Sequence, residues 1–245
     1  MIKMRFIIGT GIAIIITIII SGAIIFELLE DEVEEEMPVT IEKELYEVIV
    51  DLPVPAKDSE TSIEEALLRR RSVRDYTGEP LTLSEVSQLL WAAQGITAPA
   101  WGGRTAPSAG ATYPLEVYLV VGDVKNLPVG VYRYEPEGHR LVRVLESDKR
   151  VELSRAALGQ AWVREGAVSI VFSAVYERTT RRYGDRGIRY VHMEVGHAGQ
   201  NVHLQAVSLN LGTVVVGAFH DEEVKRVLNL PDDEQPLYIM PVGRV

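Results

Sequence analysis

Cysteine is absent from the 245-residue sequence. Disulfides, thiolate nucleophiles and cysteine-ligated metal clusters are therefore excluded, although this absence does not report on the redox compartment. Positive charge is also scarce, with 25 lysines and arginines against 35 aspartates and glutamates and a formal net charge of -10. Because such a chain repels a phosphate backbone, no nucleic-acid binding is expected, and the one basic cluster, residues 69–74, is short.

Common nucleotide and metal motifs are missing as well. The glycines form neither a dinucleotide-binding fingerprint nor a Gly-Lys-Ser/Thr phosphate loop, so a dedicated nucleotide domain is not expected. His192 and His197 bracket Glu194, but their spacing puts the two imidazoles on different faces of a helix, and no metal site is predicted. No convincing triad stands out, so no side chain is assigned as catalytic.

Residues 6–26 carry no charge and consist mainly of isoleucine with small residues. About twenty such residues span a hydrocarbon core, so we predict a transmembrane anchor in residues 1–26. Lys3 and Arg5 precede this segment and an acidic run follows it, which predicts a single-pass protein with its folded domain on the extracytoplasmic side. A signal peptide cleaved near Ser21, with secretion of the domain, is the alternative.

Residues 27–61 are predicted to form an acidic juxtamembrane segment and a linker, and residues 62–245 one folded domain. Helical spacing indicates a helix from about Ser62 and a second one after a capping-box pattern at Thr82 and Glu85. Helices and strands interleave irregularly, which favours an α+β fold. Continuous apolar runs predict strands that are buried on both faces, at residues 117–121, 168–175, 213–216 and 237–242. A hairpin is predicted from two further strands, residues 131–134 and 141–145.

The longest predicted helix runs from about Gly187 to Asn210, with one apolar stripe along it. Gly196 and Gly199 lie on a neighbouring face. Glycine costs helix stability, so the pair indicates close approach of another backbone, either from a second subunit or from the core of the same chain.

Three short strings could bind a ligand. An arginine loop, Arg70-Arg71-Ser72-Val73-Arg74, follows the first helix, where guanidinium groups suit a phosphate but are more often simply solvated. The second string, residues 105–114, consists mostly of small residues, which let a flat ring approach the backbone, and its part 107–113 is called the proline loop. A glycine turn, Val216-Gly217-Ala218-Phe219, ends a predicted strand, where glycine permits close approach of a ligand or an ordinary turn.

In this order, and with Gly-His-Ala-Gly-Gln-Asn at 196–201 and Gly212-Thr213, the strings resemble the nitroreductase superfamily, most of all its SagB-type dehydrogenase branch. The resemblance covers residues 62–245. It implies a nitroreductase-like α+β fold with a mixed central β-sheet, flanking helices and a long central helix. It also implies a homodimer that binds flavin mononucleotide (FMN) at the subunit interface.

The resemblance also implies specific contacts with the cofactor. The arginine loop would hold the phosphate, the ribityl chain and part of the pyrimidine edge, and the proline loop would reach the flavin from the partner subunit. Gln160 would face the pyrimidine edge, the N–H groups of the glycine turn would point at N5 and O4, and Arg244 would complete the phosphate site. The implied cofactor-binding residues are Arg70, Arg71, Ser72, Arg74, Pro107, Ser108, Ala109, Gln160, Val216, Gly217 and Arg244.

The implied activity is ping-pong hydride exchange at flavin N5 between NAD(P)H and a small electrophilic acceptor, for which the flavin supplies the chemistry. An azoline-type peptide dehydrogenase and a non-catalytic, membrane-tethered flavin-binding module are the alternatives. Azoline-forming relatives are associated with a Lys-Tyr pair near the start of the long helix, whereas this chain has Arg189-Tyr190. The long C-terminal arm of many relatives is also absent after Val245, so dimerisation is expected to rest on the long helix and neighbouring loops.

Overall fold

The computed structural model describes residues 48–245, so the predicted membrane segment and most of the predicted spacer lie outside the described residues. Within residues 48–245, no helix is both long and apolar enough to cross a membrane. The helices are α1 (Ile63–Arg69), α2 (Leu83–Gln94), α3 (Arg150–Ala156), α4 (Ala161–Glu165), α5 (Glu177–Tyr183), α6 (Arg186–Ser208) and α7 (Asp221–Leu228). The strands are β1 (Ile49–Asp51), β2 (Leu81–Thr82), β3 (Ile96–Ala98), β4 (Gly103–Arg104), β5 (Leu115–Val121), β6 (Val124–Lys125), β7 (Gly130–Glu135), β8 (Arg140–Leu145), β9 (Val168–Val175), β10 (Leu211–Thr213) and β11 (Glu234–Arg244).

A seven-stranded sheet in the order β1-β8-β7-β5-β9-β11-β10 forms the centre of this α+β fold. Every neighbouring pair in it is antiparallel, so the expectation of a mixed sheet is wrong for the described residues. The one parallel pair in this part of the chain is the short β2–β6 ladder outside the sheet. Apolar runs indicate burial of both faces but not strand direction, because helices cover antiparallel strands equally well.

Helices cover both faces of the sheet. α2 and α6 pack on one face, where the core includes Leu119, Phe172 and Met240. α3, α4 and α7 pack on the other face, over Val120, Val171 and other residues of the same strands. Successive side chains of one strand therefore enter different cores, which explains the uninterrupted apolar runs in the sequence.

The N-terminal edge of the sheet begins before the predicted domain boundary at Ser62. β1 pairs with β8, and Leu52 after it is buried. The backbone of Ala56 is tied to the Gln88 side chain on α2 by hydrogen bonds of 2.8 and 3.0 Å. Within the described residues, the segment 48–61 is thus attached to the sheet and to α2, and the sheet extends N-terminal of the boundary drawn from the sequence.

The predicted helix starts are confirmed in detail. The Ser62 side chain caps α1 by accepting the Glu65 N–H at 3.1 Å. Thr82 and Glu85 form the reciprocal capping box at the start of α2, with bonds of 3.3 and 2.7 Å. These caps fix where each helix begins and therefore where the loop between them leaves the helices.

α6 has nearly the predicted bounds and buries the predicted stripe, from Val191 to Ala206. A Cβ at Gly199 would lie 3.5 Å from the ring of Tyr238, so this side of the helix meets the core of the same chain. A Cβ at Gly196 would have no neighbour within 4 Å, so that side is open. The approach of a second subunit at Gly196 stays a prediction.

Candidate functional site

The arginine loop, residues 70–74, lies along β10 at the edge of the sheet. Val73 N–H donates to the Thr213 carbonyl at 3.0 Å. A Cβ at Gly212 would come within 2.7 Å of the Val73 side chain, so glycine at 212 allows the loop to approach the strand this closely. The loop is consequently held against β10, while Arg71 and Arg74 remain exposed and Arg70 is partly exposed.

The charges of the arginine loop have no acidic partner in the part of the chain that the structure describes. Arg69, the preceding residue, is paired with Glu65 at 2.8 Å, but Arg70, Arg71 and Arg74 form no such pair. Arg71 only donates to backbone carbonyls, at 2.9 and 2.7 Å. Three guanidinium groups within five residues repel one another, and a bound anion would offset this repulsion.

Two further segments meet the arginine loop at this edge. The Arg74 guanidinium lies 5.3 Å from the centre of the Trp162 ring on α4. The Gln160 amide nitrogen donates to the carbonyl oxygens of Ala157 at 2.8 Å and Ala218 at 3.0 Å. Contacts within one chain therefore link the arginine loop, the start of α4 and the glycine turn. The resemblance seen in the sequence implies that these three segments lie together.

Hydrogen bonding restricts what Gln160 and the glycine turn can offer a ligand. Both N–H groups of the Gln160 amide are used, so its free group is the acceptor Oε1. Val216 N–H donates to the Ile239 carbonyl at 2.8 Å, so the expectation that this N–H faces a flavin is wrong in this geometry. The physical reason is that Val216 continues the pairing of the sheet edge with β11. No hydrogen bond of the Gly217 N–H occurs within residues 48–245.

Two buried polar atoms beside the arginine loop have no hydrogen-bond partner among the described residues, Trp162 Nε1 and His203 Nδ1. Burial, with a smaller contribution from the Arg70 guanidinium, lowers the pKa of His203 to about 4. The imidazole is therefore neutral near pH 7 and keeps one nitrogen available to a ligand. Buried groups of this kind are normally paired, so both atoms indicate that this edge is completed by something else.

The proline loop, residues 107–113, has a strained backbone that side chains from other elements hold in place. Ala111 and Tyr113 have positive φ angles of 53° and 43°, which residues with a Cβ rarely adopt. Arg182 donates to the Gly110 carbonyl at 3.1 Å and Arg178 to the Tyr113 carbonyl at 3.2 Å. Such strain persists only where the surroundings enforce it, and it is concentrated at functional sites.

Within one chain, the proline loop lies away from the arginine loop. Ser108 lies beside Glu194 on α6, whereas the Arg70 charge acts on His203, nine residues further along α6. Nine helical residues span roughly 13 Å. Pro107 is exposed and Ser108 and Ala109 are partly exposed, so all three are open to contact from outside the chain. Their expected contact with the flavin of a partner subunit stays a prediction.

Arg244 already has an acidic partner. Its Nη2 contacts both carboxylate oxygens of Glu85, at 3.0 and 2.9 Å, and its Nε donates to the Pro80 carbonyl at 3.3 Å. The same Glu85 caps α2. A contact between Arg244 and a phosphate therefore requires this ion pair to open, which distinguishes Arg244 from the arginines of the loop.

Sequence reasoning missed three residues of this region. Trp162 lies two positions after Gln160, and its proximity to a candidate site residue was the available signal. Glu194 and His203 are polar residues on the buried side of α6, where the apolar stripe leads one to expect apolar side chains. A buried carboxyl and a buried imidazole in such a stripe are rare enough to mark a site.

Comparisons with known proteins identify the family of this chain. A family model described as "Nitroreductase family" matches residues 67–244. A Methanocaldococcus jannaschii protein that bears the name nitroreductase is 54% identical over 185 residues, 76% of this chain and 92% of that protein. The NADPH-flavin oxidoreductase of Vibrio harveyi is 32% identical over 111 residues, which are 42% of this chain and 46% of that protein.

Solved structures give the same result. A Ralstonia eutropha protein described as a nitroreductase has a TM-score of 0.72 at 30% identity and covers 80% of this chain and 89% of its own. A chain of the Escherichia coli microcin synthetase McbBCD complex, solved with truncated pro-MccB17 bound, has a TM-score of 0.62 at 27% identity. That match covers 82% of this chain and 79% of the other. The residues that the family model matches include the arginine loop, the proline loop and the glycine turn.

Proposed function

The chain belongs to the nitroreductase family, and from this premise we propose that it is an FMN-dependent oxidoreductase that exchanges hydride between NAD(P)H and a small electrophilic acceptor. One observation carries the proposal. Three arginines without acidic partners among the described residues lie at a sheet edge, next to two unpartnered polar atoms and an unused backbone N–H. A phosphate attached to a flat, polar ring has the chemistry to complete such an edge.

Each residue then has a definite role. Arg70, Arg71 and Arg74 would bind the phosphate and the pyrimidine edge through guanidinium N–H groups, with the Ser72 hydroxyl as a further donor. Gln160 would accept a ring N–H through Oε1, and Gly217 N–H would donate to the ring. When bound, FMN supplies the hydride acceptor and donor at N5, and the protein contributes orientation, donors for the reduced ring and an open ring face.

The binding site is proposed to be completed by a second copy of the chain. Within one subunit the proline loop lies beside the N-terminal half of α6 and the arginine loop lies along β10, and Pro107, Ser108 and Ala109 remain open to a partner. The outer side of α6 is open at Gly196 and exposes apolar Ile188 (44%) and Met193 (52%). A homodimer that pairs these surfaces would bring the proline loop of one subunit to the arginine loop of its partner.

Dehydrogenation of a modified peptide is the second candidate function. It is favoured by the similarity to a chain of the microcin synthetase complex, although Arg189-Tyr190 departs from the Lys-Tyr pair expected for that chemistry. Both candidates use the same flavin site. Consumption of NAD(P)H with a quinone or nitro compound, compared with oxidation of a heterocycle-precursor peptide, would separate them.

A visible absorption spectrum of the purified protein with FMN tests the proposal directly. We expect a retained flavin spectrum after gel filtration, bleaching upon addition of NADH or NADPH, and recovery with an acceptor. A protein that elutes colourless after reconstitution would refute FMN binding. Retained flavin that no nicotinamide bleaches would instead favour the non-catalytic flavin-binding module.

Residues 1–26 are proposed to anchor the domain in a membrane, with residues 48–245 on the extracytoplasmic side. The uncharged run and the charges that flank it support this proposal. Protease protection of the domain in intact cells, or its recovery in the soluble fraction after cleavage of the segment, would overturn it. Neither result would affect the flavin chemistry.

A further inference from the structure

Residues 177–189 hold a second concentration of arginines, spread over α5 and the start of α6. The segment contains five arginines against two acidic residues, in a chain whose formal net charge is -10. Arg178 is paired with Glu116. The other four arginines are exposed and form no ion pair within residues 48–245. We call these four the basic patch: Arg181, Arg182, Arg186 and Arg189.

Two arginines of the basic patch oppose the dipole of the longest helix. Arg186 and Arg189 lie at the start of α6, a helix of 23 residues whose first turn contains no acidic side chain. Positive charge at a helix N-terminus is unfavourable, and neighbouring like charges repel one another. These two arginines therefore weaken the start of the helix, and a bound anion would offset this effect.

Side-chain contacts hold the basic patch next to the proline loop. Arg182 donates through Nη1 to the Gly110 carbonyl at 3.1 Å. A Cβ at Gly110 would lie 2.5 Å from the Tyr183 hydroxyl, so Tyr183 also packs on the loop. The rings of Tyr183 and Tyr190 meet edge to face with their centroids 5.2 Å apart, which joins the end of α5 to the beginning of α6. A ligand that contacts the proline loop therefore lies beside the basic patch.

The proposed homodimer brings the basic patch to the flavin of the partner subunit. Arg189 and Gly196 are separated by about two helical turns and share the outer side of α6. The arginine loop follows α1, whose last residue Arg69 donates to Asn210 beyond the other end of α6 at 3.1 Å. An isologous, antiparallel pairing of α6 with its copy near Gly196 would place the start of one helix next to the end of the other. The basic patch of one subunit would then lie beside the flavin that the arginine loop of the other subunit binds.

We propose that the basic patch binds the 2′-phosphate of NADPH and makes the protein selective for NADPH over NADH. This inference rests on the proposed function. NADPH differs from NADH only by this phosphate, which is carried by the adenosine ribose and not by the nicotinamide. Guanidinium groups bind a phosphate dianion through paired N–H donors, and arginine is the side chain that accommodates a 2′-phosphate in other dinucleotide sites.

The first test compares kcat/KM for NADPH with kcat/KM for NADH in the FMN-loaded protein. A hydrogen bond to a charged group changes affinity by about tenfold or more, so wild type should prefer NADPH by at least about tenfold. In Arg186→Glu/Arg189→Glu this ratio should fall by at least about tenfold, mainly through a higher KM for NADPH. No preference for NADPH in the wild type would overturn the proposal.

Arg155→Glu/Arg226→Glu is the matched control. It also reverses two exposed arginines that form no ion pair within residues 48–245, but they lie on α3 and α7, on the other face of the sheet. The control should keep the wild-type ratio. An equal fall of the ratio in both variants would overturn the proposal. Dissociation of the patch variant alone into monomers, measured by light scattering, would also overturn it, because the patch would then belong to the subunit contact.

The second test needs no turnover. Adenosine 2′,5′-bisphosphate carries the 2′-phosphate and adenosine 5′-monophosphate lacks it, so calorimetric titration of the wild type should give at least about tenfold tighter binding of the bisphosphate. The difference should disappear in Arg186→Glu/Arg189→Glu and persist in the control. Equal binding of the two nucleotides to the wild type would overturn the proposal.

The two tests separate failure of this inference from failure of the proposed function. If the protein binds no FMN, or if neither nicotinamide reduces the bound flavin, the proposed function fails, and the titration still decides whether the basic patch recognises a 2′-phosphate. If NADH and NADPH reduce the flavin equally well, the proposed function stands and the assignment of the basic patch is wrong.

Discussion

Arg74→Gln is expected to weaken FMN binding without destabilising the flavin-free protein. Arg74 is exposed, lies over Trp162 and has no acidic partner in residues 48–245. Removing its charge lowers the repulsion within the arginine loop, and this gain offsets the loss of a cation–π contact worth about 0.5–1 kcal/mol at such sites. The melting temperature of the flavin-free protein should therefore change little.

The effect of Arg74→Gln on the FMN complex follows from the loss of a contact with the charged phosphate. A hydrogen bond to a charged group contributes about 1.5–3 kcal/mol, so FMN affinity should fall by a factor of at least about ten. At an FMN concentration of about 100 times the wild-type Kd, ligand binding stabilises the protein by about 2.7 kcal/mol. A tenfold weaker variant at the same concentration retains about 1.4 kcal/mol, roughly half.

Differential scanning fluorimetry with and without FMN measures this difference. For a domain of this size, about 1 kcal/mol corresponds to a shift of about 2–4 °C, so the FMN-induced shift should decrease by about 3–5 °C in the variant. Arg69→Gln is the matched control, because Arg69 is at the same helix end but is paired with Glu65. Equal FMN-induced shifts in the two variants would refute the assignment of the arginine loop as a phosphate site.

Three further predictions concern neighbouring residues. Trp162→Phe removes an unpartnered N–H beside Arg74 and should weaken FMN binding by a few-fold, as judged by fluorescence titration. Hybrid dimers of Arg74→Gln and Ser108→Ala subunits should bind one FMN tightly per dimer, because one of the two shared sites is intact; no tight site would indicate assembly within single subunits. Burial lowers the pKa of His203 to about 4, so wild type should lose stability to urea as the pH falls from about 6.5 toward 4, and His203→Gln should lose less over that interval.

Local patterns in the sequence predicted most of the helices and strands of the fold. The caps at Ser62 and Thr82 and the stripe of α6 depend on neighbours in the chain, and these were predictable. Strand direction and the contribution of β1 were not, because both depend on which distant segments pair. The apolar residues at 46–50 were visible as a brief run, but only their pairing with β8 makes part of that run a strand.

For the candidate site, too, local patterns were predictable and contacts between distant segments were not. The order of strings in the sequence indicated the arginine loop, Gln160 and the glycine turn, and these lie together in the structure. The sequence could not reveal that Val216 N–H is used by the sheet or that Arg244 is paired with Glu85, since both depend on partners far along the chain. Glu194 was visible only as the residue between two histidines, and only the structure shows that it is buried on the inner side of α6.

The position of the arginine loop has a consequence for solubility. β10 is an edge strand, and an uncovered edge offers free backbone groups to strands of other molecules. The Val73–Thr213 hydrogen bond blocks part of that edge, and the neighbouring positive charges repel an identical edge of another molecule. Variants that neutralise all three arginines would thus lose a guard against intermolecular strand pairing, and concentrated flavin-free preparations of them should aggregate sooner than the wild type.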